Sequence, residues 1–461
     1  MKKTLLLFLF GLVAPIAVWA QGVVVKEPHQ LLLGNTIIRE VKYPATITCK
    51  NYSLKDSTLT FIYSDSTMTT KEASINGFQV SDMVVANDSV FFCGHDEYGK
   101  YGILGFFSIS DVFFGSGSIN IIPTILYYRE LVTRLTRIET FRDATGNRYI
   151  YCVGRTESNN PCLVEKSDFS NGSYRSGIVN DSLEYLTDIS IVNDGNGVSH
   201  LVSAGLDISN SPYITLRAYN PIDVFDNLGR QNYRYCFAID PSGNRPWRLK
   251  DVLVTGLKDD YISTVSYRQS PANSDLTIEP FNIHIATFNT SSLLIGDLFS
   301  MTESAEIPIP PLYPNYNLRD LASCKTGLTL AFLHHISTGD WDGDLSHFFE
   351  VDFSATGGIV GLRKYQQSND ILSGLSAYND KVQYLLSGKT GIFSSTLHYV
   401  VETFGNNETC STPQEAEYIK VQTMGAIEEI KPFEQFQGDY RIITPEITRK
   451  RYPLYIECET K

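Results

Sequence analysis

Leu186-Thr187-Asp188-Ile189-Ser190-Ile191 is the stretch that decides the fold, because five other stretches of the chain repeat its pattern. The pattern is an apolar residue, any residue, usually an aspartate, and then alternating apolar positions. Named by their third residue, the six copies are Asp82, Arg137, Asp188, Asp251, Asp320 and Gly374. They recur roughly every 50 to 70 residues, and long periods of this kind point to propellers or other repeat arrays.

The residues that follow each copy keep a common order. After Asp188, an apolar run covers residues 201–205, a polar turn covers 209–212, and a second apolar run covers 213–216. Alternating apolar runs broken by Gly, Asn, Ser and Pro indicate antiparallel strands. Each unit therefore predicts a strand at the motif, a second strand, a hairpin turn and a third strand, with room for a fourth. This is the content of one propeller blade.

On these six openings and the strand order after them, the chain resembles secreted bacterial β-propeller proteins over roughly residues 78–404. The resemblance implies an all-β propeller, and a fold alone assigns no chemistry. Residues 46–75 and 418–458 also carry strand patterns but lack the motif. A ring of blades must close, because an unclosed ring leaves edge strands open. The N-terminal and C-terminal strands can close it by sharing a seventh blade, so seven blades are favoured. Six blades with a separate C-terminal cap is the alternative.

The predicted organisation has four parts. Residues 1–20 carry Lys2 and Lys3, a short apolar run and a small-residue exit, which describe a secretory signal peptide. Residues 21–77 are N-terminal strands of the closing blade, residues 78–408 are the propeller repeats, and residues 409–461 complete or cap the propeller. The apolar run is too short for a membrane span, and no Cys follows it to carry a lipid anchor. The expected location is outside the cytoplasm, as a periplasmic, cell-surface or secreted protein.

Composition narrows the partners. The formal net charge is −13 and basic residues form no cluster beyond Arg449-Lys450-Arg451, which argues against nucleic acid. Eight cysteines could pair in an oxidising compartment. Several of them stand inside apolar strand patterns, where a thiol acts as a small hydrophobe, so a disulfide is expected only near the termini. No metal or redox pair of the CxxC type occurs.

The recurring third position is the first candidate site. If each motif opens the innermost strand of its blade, one mouth of the central channel collects the residues Asp82, Arg137, Asp188, Asp251 and Asp320. Converging carboxylates and a guanidinium could bind a polar ligand or a cation, or supply an acid/base pair. The structural alternative is that each aspartate accepts hydrogen bonds from backbone amides at the entry to its strand.

An acidic turn is the second candidate site. Asp340, Asp342 and Asp344 alternate along it, as the oxygen ligands of calcium loops do. A hairpin centred on Trp341 would also place His335 opposite His347, and a His pair beside carboxylates could take a transition metal. The structural alternative is a solvated turn between ordinary strands. No required cofactor is predicted, and calcium is the ion considered for the turn.

The sequence carries no nucleophile elbow, zinc-protease motif, P-loop or dinucleotide fingerprint. Its aromatic residues, including Trp247 and Trp341, could stack on sugars or peptide side chains if they are exposed. The preferred hypothesis is a non-catalytic binding protein that recognises a protein or glycan through its loop faces. The alternative is a glycan-active hydrolase or lyase that uses channel-mouth carboxylates, and a third possibility is a structural component of a surface assembly.

Overall fold

The structure is a computed structural model of the chain, and it describes twenty-three segments. They are residues 23–27, 36–42, 45–52, 58–64, 69–124, 132–179, 184–207, 213–225, 231–237, 248–257, 260–269, 281–291, 301–309, 316–323, 329–335, 345–368, 370–378, 381–389, 397–404, 414–415, 419–420, 423–426 and 434–453.

These segments are almost entirely β-strand, which confirms the predicted all-β class. The N-terminal strands are β1 (Val23–Glu27), β2 (Thr36–Lys42), β3 (Ala45–Tyr52), β4 (Thr58–Ser64) and β5 (Thr69–Asn76). The next are β6 (Phe78–Ala86), β7 (Ser89–Asp96), β8 (Gly102–Ser108), β9 (Asn120–Thr124), β10 (Val132–Arg142), β11 (Arg148–Thr156), β12 (Pro161–Lys166) and β13 (Ser173–Ile178). They are followed by β14 (Glu184–Asn193), β15 (Ser199–Asp207), β16 (Tyr213–Tyr219), β17 (Gln231–Phe237), β18 (Arg248–Leu257), β19 (Tyr261–Gln269), β20 (Phe281–Asn289) and β21 (Met301–Ile309).

The remaining strands are β22 (Tyr316–Ser323), β23 (Thr329–His335), β24 (Leu345–Phe353), β25 (Ile359–Ser368), β26 (Asp370–Tyr378), β27 (Lys381–Lys389), β28 (Leu397–Phe404), β29 (Gln414–Glu415), β30 (Ile419–Lys420), β31 (Thr423–Ala426), β32 (Glu434–Asp439) and β33 (Thr448–Pro453). A π-helical turn, Ser110–Phe114, connects β8 to β9.

In the described segments the strands form seven antiparallel sheets, six of them built on four consecutive strands. Sheet 1 holds β2–β5, sheet 2 holds β6–β9, sheet 3 holds β10–β13, sheet 4 holds β14–β17, sheet 5 holds β18–β21 and sheet 6 holds β22–β25. Sheet 7 holds β26–β28 with β1 as its fourth strand. The first strand of each sheet contacts the first strand of the next, and β26 also contacts β2. Four-stranded meanders whose first strands meet have the architecture of a β-propeller.

The two ends of the chain pair differently from the expected shared blade. The N-terminal strand β1 adds to β28 of sheet 7, whereas β2–β5 make a sheet of their own. The C-terminal strands instead pair with the outer, fourth strands of other sheets, in the reverse of chain order. They are β29 on β25, β30 on β21, β31 on β17, β32 on β13, and β33 on β5. We call residues 414–453 the C-terminal belt.

The belt also passes sheet 2, where Ile443 and Ile121 of β9 exchange two backbone hydrogen bonds. Its physical role follows from its position. The fourth strand of a meander presents a row of unpaired amides and carbonyls, and such an edge recruits another strand. The belt pairs with part of each of these edges within the chain and so covers groups that would otherwise promote aggregation.

The core lies between neighbouring sheets, so both faces of a strand are buried. In β7, the adjacent residues Phe91 and Phe92 point to opposite faces, and both are buried. Phe92 packs on Phe61 of sheet 1 with ring centroids 5.0 Å apart, and Phe91 belongs to the apolar cluster shared with sheet 3. Burial of such a ring contributes about 1.5–3 kcal/mol.

Four cysteines have described side chains, and all four are buried free thiols: Cys49, Cys93, Cys152 and Cys162. Burial raises the pKa of the Cys49 and Cys93 thiols, so these groups stay neutral and pack as small hydrophobes. The side chains of Cys236, Cys324, Cys410 and Cys458 lie outside the described residues, and a disulfide near the termini stays a prediction.

Candidate functional site

The repeated motif is a β-bulge in the first strand of its sheet. In sheet 4, Leu186 pairs with Gly205 and Asp188 pairs with Ala204, so Thr187 is the extra residue. A bulge of this kind puts two residues opposite one and re-aims the side chain that follows. The ladder shifts at the same place in four other copies, at Val80/Asp82, Leu135/Arg137, Leu249/Asp251 and Leu372/Gly374. In sheet 6 the shift extends one residue further, from Leu318 to Leu321.

Glycines on the second strand accommodate three of these bulges. Gly94, Gly154 and Gly205 pair with the apolar residue of the motif. A Cβ atom at Gly94 would lie 1.9 Å from the Gln79 carbonyl oxygen, and one at Gly154 would lie 2.0 Å from that of Arg134. Since no side chain fits so close to backbone, glycine is required there. The motif and its glycine form one structural unit that single-strand patterns do not reveal.

Asp82 joins sheet 2 to sheet 3. Its Oδ1 accepts a hydrogen bond from the Met83 amide at 2.9 Å, and its Oδ2 accepts one from the Ile138 amide at 3.1 Å. The first bond is local and the second crosses to the neighbouring first strand, β10. The carboxylate is buried, so both bonds form away from water. Asp82 therefore aligns two inner strands.

Asp188 makes the corresponding link from sheet 4 to sheet 5. Its Oδ2 accepts a hydrogen bond from the Val254 amide at 2.7 Å. Its Oδ1 lies 3.6 Å from Nε of Arg137 in sheet 3. Burial raises the pKa of Asp188 to about 7, and the charge of Asp82 adds to the rise, while Arg137 and the amide bond oppose it.

The structure thus brings three of the five predicted channel residues into one charged row: Asp82, Arg137 and Asp188. Asp251 and Asp320 occupy the matching backbone positions of β18 and β22, and their side chains lie outside the described residues. Each oxygen of Asp82 and Asp188 already has a protein partner. The row is better suited to holding sheets in register than to exchanging protons with a substrate.

The second predicted site differs from its expected register. His347 pairs with Leu333, and His334 pairs with Ser346, so the hairpin is centred one residue earlier than Trp341. His335 and His347 are therefore diagonal neighbours and not, as was predicted, directly opposite each other. Their role as metal ligands stays a prediction. The length of the loop sets the centre of the hairpin, and the strand patterns in the sequence do not determine that length. Asp340, Asp342 and Asp344 lie outside the described residues, and within those described no cluster of three potential metal ligands occurs.

Turn carboxylates that sequence patterns do not single out organise one end of the sheets. In sheet 2, Asp88 accepts hydrogen bonds from the Ser108 hydroxyl at 2.8 Å and the Ser110 amide at 3.1 Å. In sheet 5, Asp260 accepts them from the Asn289 side chain and the Ser291 amide, both at 3.0 Å. Each ties the first turn of a sheet to the connection between its third and fourth strands. Only the folded sheet brings these segments together.

Sheet 2 exposes one aromatic ring at each end. Tyr98, in the turn between β7 and β8, is 74% exposed, and Phe114, in the π-helical turn at the other end, is 56% exposed. A lysine lies over each ring, with Lys100 Nζ 5.3 Å from the centroid of Tyr98 and Lys71 Nζ 3.2 Å from that of Phe114. Trp247 and Trp341 lie outside the described residues. The exposure of Trp247 and Trp341 stays a prediction, and Tyr98 and Phe114 are exposed rings that the sequence did not single out.

Comparison with known proteins gives no family. No family model matches the chain, and no curated protein matches it. Among solved structures, it is similar to the extracellular domains 1–2 of Drosophila Semaphorin 1a, with a TM-score of 0.41 and 8% identity over 84% of this chain and 88% of that one.

A hypothetical protein from Leishmania major gives a TM-score of 0.26 and 13% identity over 59% of this chain and 86% of that one. The tail fibre of Staphylococcus aureus phage P68 gives 0.20 and 8% over 69% and 89%. None of these similarities identifies a function. Within the described segments, no helix has the length and apolar character needed to cross a membrane.

Proposed function

We propose that the chain is an exported, seven-bladed β-propeller that binds a protein or a glycan through its loop faces and catalyses no reaction. In this proposal, each of the seven sheets is one blade of the propeller. The contact of β26 with β2 supports a closed ring, and β1 supports closure by completing sheet 7. A rigid ring of blades holds turns of variable sequence in fixed positions, which suits recognition.

The observation that carries the proposal is that the inner carboxylates bind backbone amides of the protein itself. Asp82 and Asp188 accept backbone hydrogen bonds from the next sheet, so they are committed to packing. The aromatic ring of Phe114 is exposed at a turn instead. Exposed rings stack on sugars and on apolar side chains, which supports recognition at the turns.

The test is a binding profile of the purified chain on a glycan array, repeated on an array of extracellular proteins. The expected result is saturable binding to one ligand class that leaves the ligand mass unchanged on prolonged incubation. Release of a shortened glycan by the native chain, lost in an Asp188→Asn variant, would show that the proposal is wrong.

That outcome would support the second candidate, a glycan-active hydrolase or lyase. One observation favours it: the pKa of Asp188 is raised by burial to about 7, and a carboxyl group of this pKa can act as a general acid near neutral pH. Its burial and its bond to the Val254 amide argue against substrate access. The array experiment with the Asp188→Asn variant separates the two candidates.

A further inference from the structure

A basic and aromatic surface lies where sheet 1 meets sheet 2. We call it the Phe114 patch and define it by Lys71 of β5, Phe114 of the π-helical turn, and Arg449 and Arg451 of β33. It unites a short basic segment of the C-terminal belt with an exposed ring that is more than 300 residues away in the chain. The fold alone creates this surface.

The register of sheet 1 places the cations on one face. Arg451 pairs with Lys71, which pairs with Tyr63. One step along the same face, Arg449 pairs with Ala73, and Ala73 is fully buried in the core shared with sheet 2. Since alternate residues of a strand share a face, the three cationic residues emerge at the margin of the face that packs on sheet 2.

The π-helical turn supplies the aromatic part. Phe113 is buried and anchors the turn, with its ring centroid 5.7 Å from that of Tyr63. Phe114 packs edge-on against Tyr63 at 5.3 Å and keeps 56% of its surface exposed. Lys71 lies over the Phe114 ring. Tyr63 therefore holds Phe114 in place, while more than half of the Phe114 surface faces solvent.

The positive charge of the patch is not cancelled by its arginine contacts. Arg449 donates to the carbonyl oxygens of Val112, at 3.0 Å, and Gly117, and carbonyl groups leave the guanidinium charge in place. Arg451 is exposed. The π-helical turn carries one acidic residue, Asp111, which is exposed. Glu72 pairs with Lys450, on the opposite face of the two strands from Lys71 and Arg451. In a chain of net charge −13, this is a local site for anions.

We infer that the Phe114 patch binds an acidic glycan, with the exposed part of the Phe114 ring against a sugar face and the guanidinium of Arg451 on its carboxylates. This inference rests on the proposed binding function and names its ligand class. A flat exposed ring favours stacking on a sugar, and arginine presents paired donors that match a carboxylate. Arg449, bound to the π-helical turn, positions the turn.

Calorimetry of the full chain with oligogalacturonate tests the inference, with uncharged malto-oligosaccharide and polyglutamate as comparison ligands. We expect oligogalacturonate to bind best, and its affinity to fall at least tenfold in Phe114→Ala and in Arg451→Gln. Tyr98→Ala is the matched control, because it removes an exposed, lysine-capped ring at the other end of the same sheet, and it should bind as the native chain does. Higher ionic strength should weaken binding.

Thermal unfolding of each variant establishes that it is folded, and Phe114→Leu provides a second substitution that keeps apolar volume but no ring. Native-like oligogalacturonate binding by Phe114→Leu and Phe114→Ala would overturn the inference, as would equal binding of polyglutamate. If the chain binds another glycan or a protein but no oligogalacturonate, the inference fails and the proposed function stands. If it binds nothing on any array, both fail.

Discussion

Gly154 shows at the scale of one residue how the repeat depends on close backbone contact. A Cβ atom there would lie 2.0 Å from the carbonyl oxygen of Arg134, and neither backbone can yield without breaking the ladder. We expect Gly154→Ala to lower the free energy of unfolding by about 3 kcal/mol, as for severe overpacking. Urea denaturation measures the loss.

Gly361→Ala is the control for this substitution. Gly361 also lies in a strand, and its nearest neighbour is the Asp352 carboxylate at 3.0 Å, which can rotate away. A change of less than about 1 kcal/mol is expected. Equal losses in the two variants would show that the bulge imposes no special requirement for glycine.

Asp188 predicts a pH dependence of stability. Its pKa rises from the ordinary 3.8 to about 7 in the folded chain, chiefly through burial. The folded state then binds the proton more tightly than the unfolded state, so the stabilisation is complete below about pH 4 and is lost as pH rises through 7. Asp188→Asn removes this contribution.

Urea denaturation of the native chain and of Asp188→Asn at pH 5 and pH 8 checks the sign. Asparagine cannot ionise, so the variant should gain stability relative to the native chain as pH rises, by on the order of 2 kcal/mol. A difference between the two that stays constant with pH, or that moves the other way, would contradict the burial argument.

At the scale of single residues, the sequence located the two inner aspartates but not the groups that donate hydrogen bonds to them. The recurring motif predicted that Asp82 and Asp188 occupy equivalent positions, and both lie in the first strand of a sheet. Their partners, the amides of Ile138 and Val254, lie in the next repeat, and only packing of the sheets brings them within reach. Their role as ligands for a substrate or ion stays a prediction.

Among the elements, the C-terminal belt offers the clearest test. Removal of residues 412–461 would uncover the outer strands of five sheets, and open edges associate with other chains. We expect the truncated chain to form oligomers or aggregates in size-exclusion chromatography with light scattering. Removal of residues 454–461 alone, which follow β33, should leave the native elution. A monomeric truncated chain would show that the edges need no cover.

The acidic turn between β23 and β24 is the second element with a test. Asp340, Asp342 and Asp344 alternate there, and carboxylate oxygens suit calcium. Because His347 pairs with Leu333 instead of His335, we expect calcium to bind in preference to zinc. Calorimetry with each ion should show calcium binding that Asp342→Ala abolishes, and an unchanged titration in that variant would remove the site.

For the whole molecule, the property to test is whether the ring of seven sheets is closed. Sheet 7 depends on β1, whose residue Val24 pairs with Val400 of β28. Removal of residues 23–27 leaves sheet 7 with three strands and an open edge. If the ring is closed as proposed, we expect a lower melting temperature in calorimetry and a less cooperative transition, because neighbouring blades support one another. An unaltered melting curve would mean that β1 contributes nothing to closure.

What the sequence by itself determined is local: the all-β class, the six motif-bearing strands and the strands that follow them, such as β15 after β14. These follow from alternation of apolar residues and from turn residues, which act over a few positions. Only the tertiary structure decided the pairing of the C-terminal belt, the bonds of Asp82 and Asp188, and the bond of Arg449 to the π-helical turn. Strands such as β29 and β30, of two residues each, are too short to carry a period. Their partners are chosen by which edges the other sheets leave open.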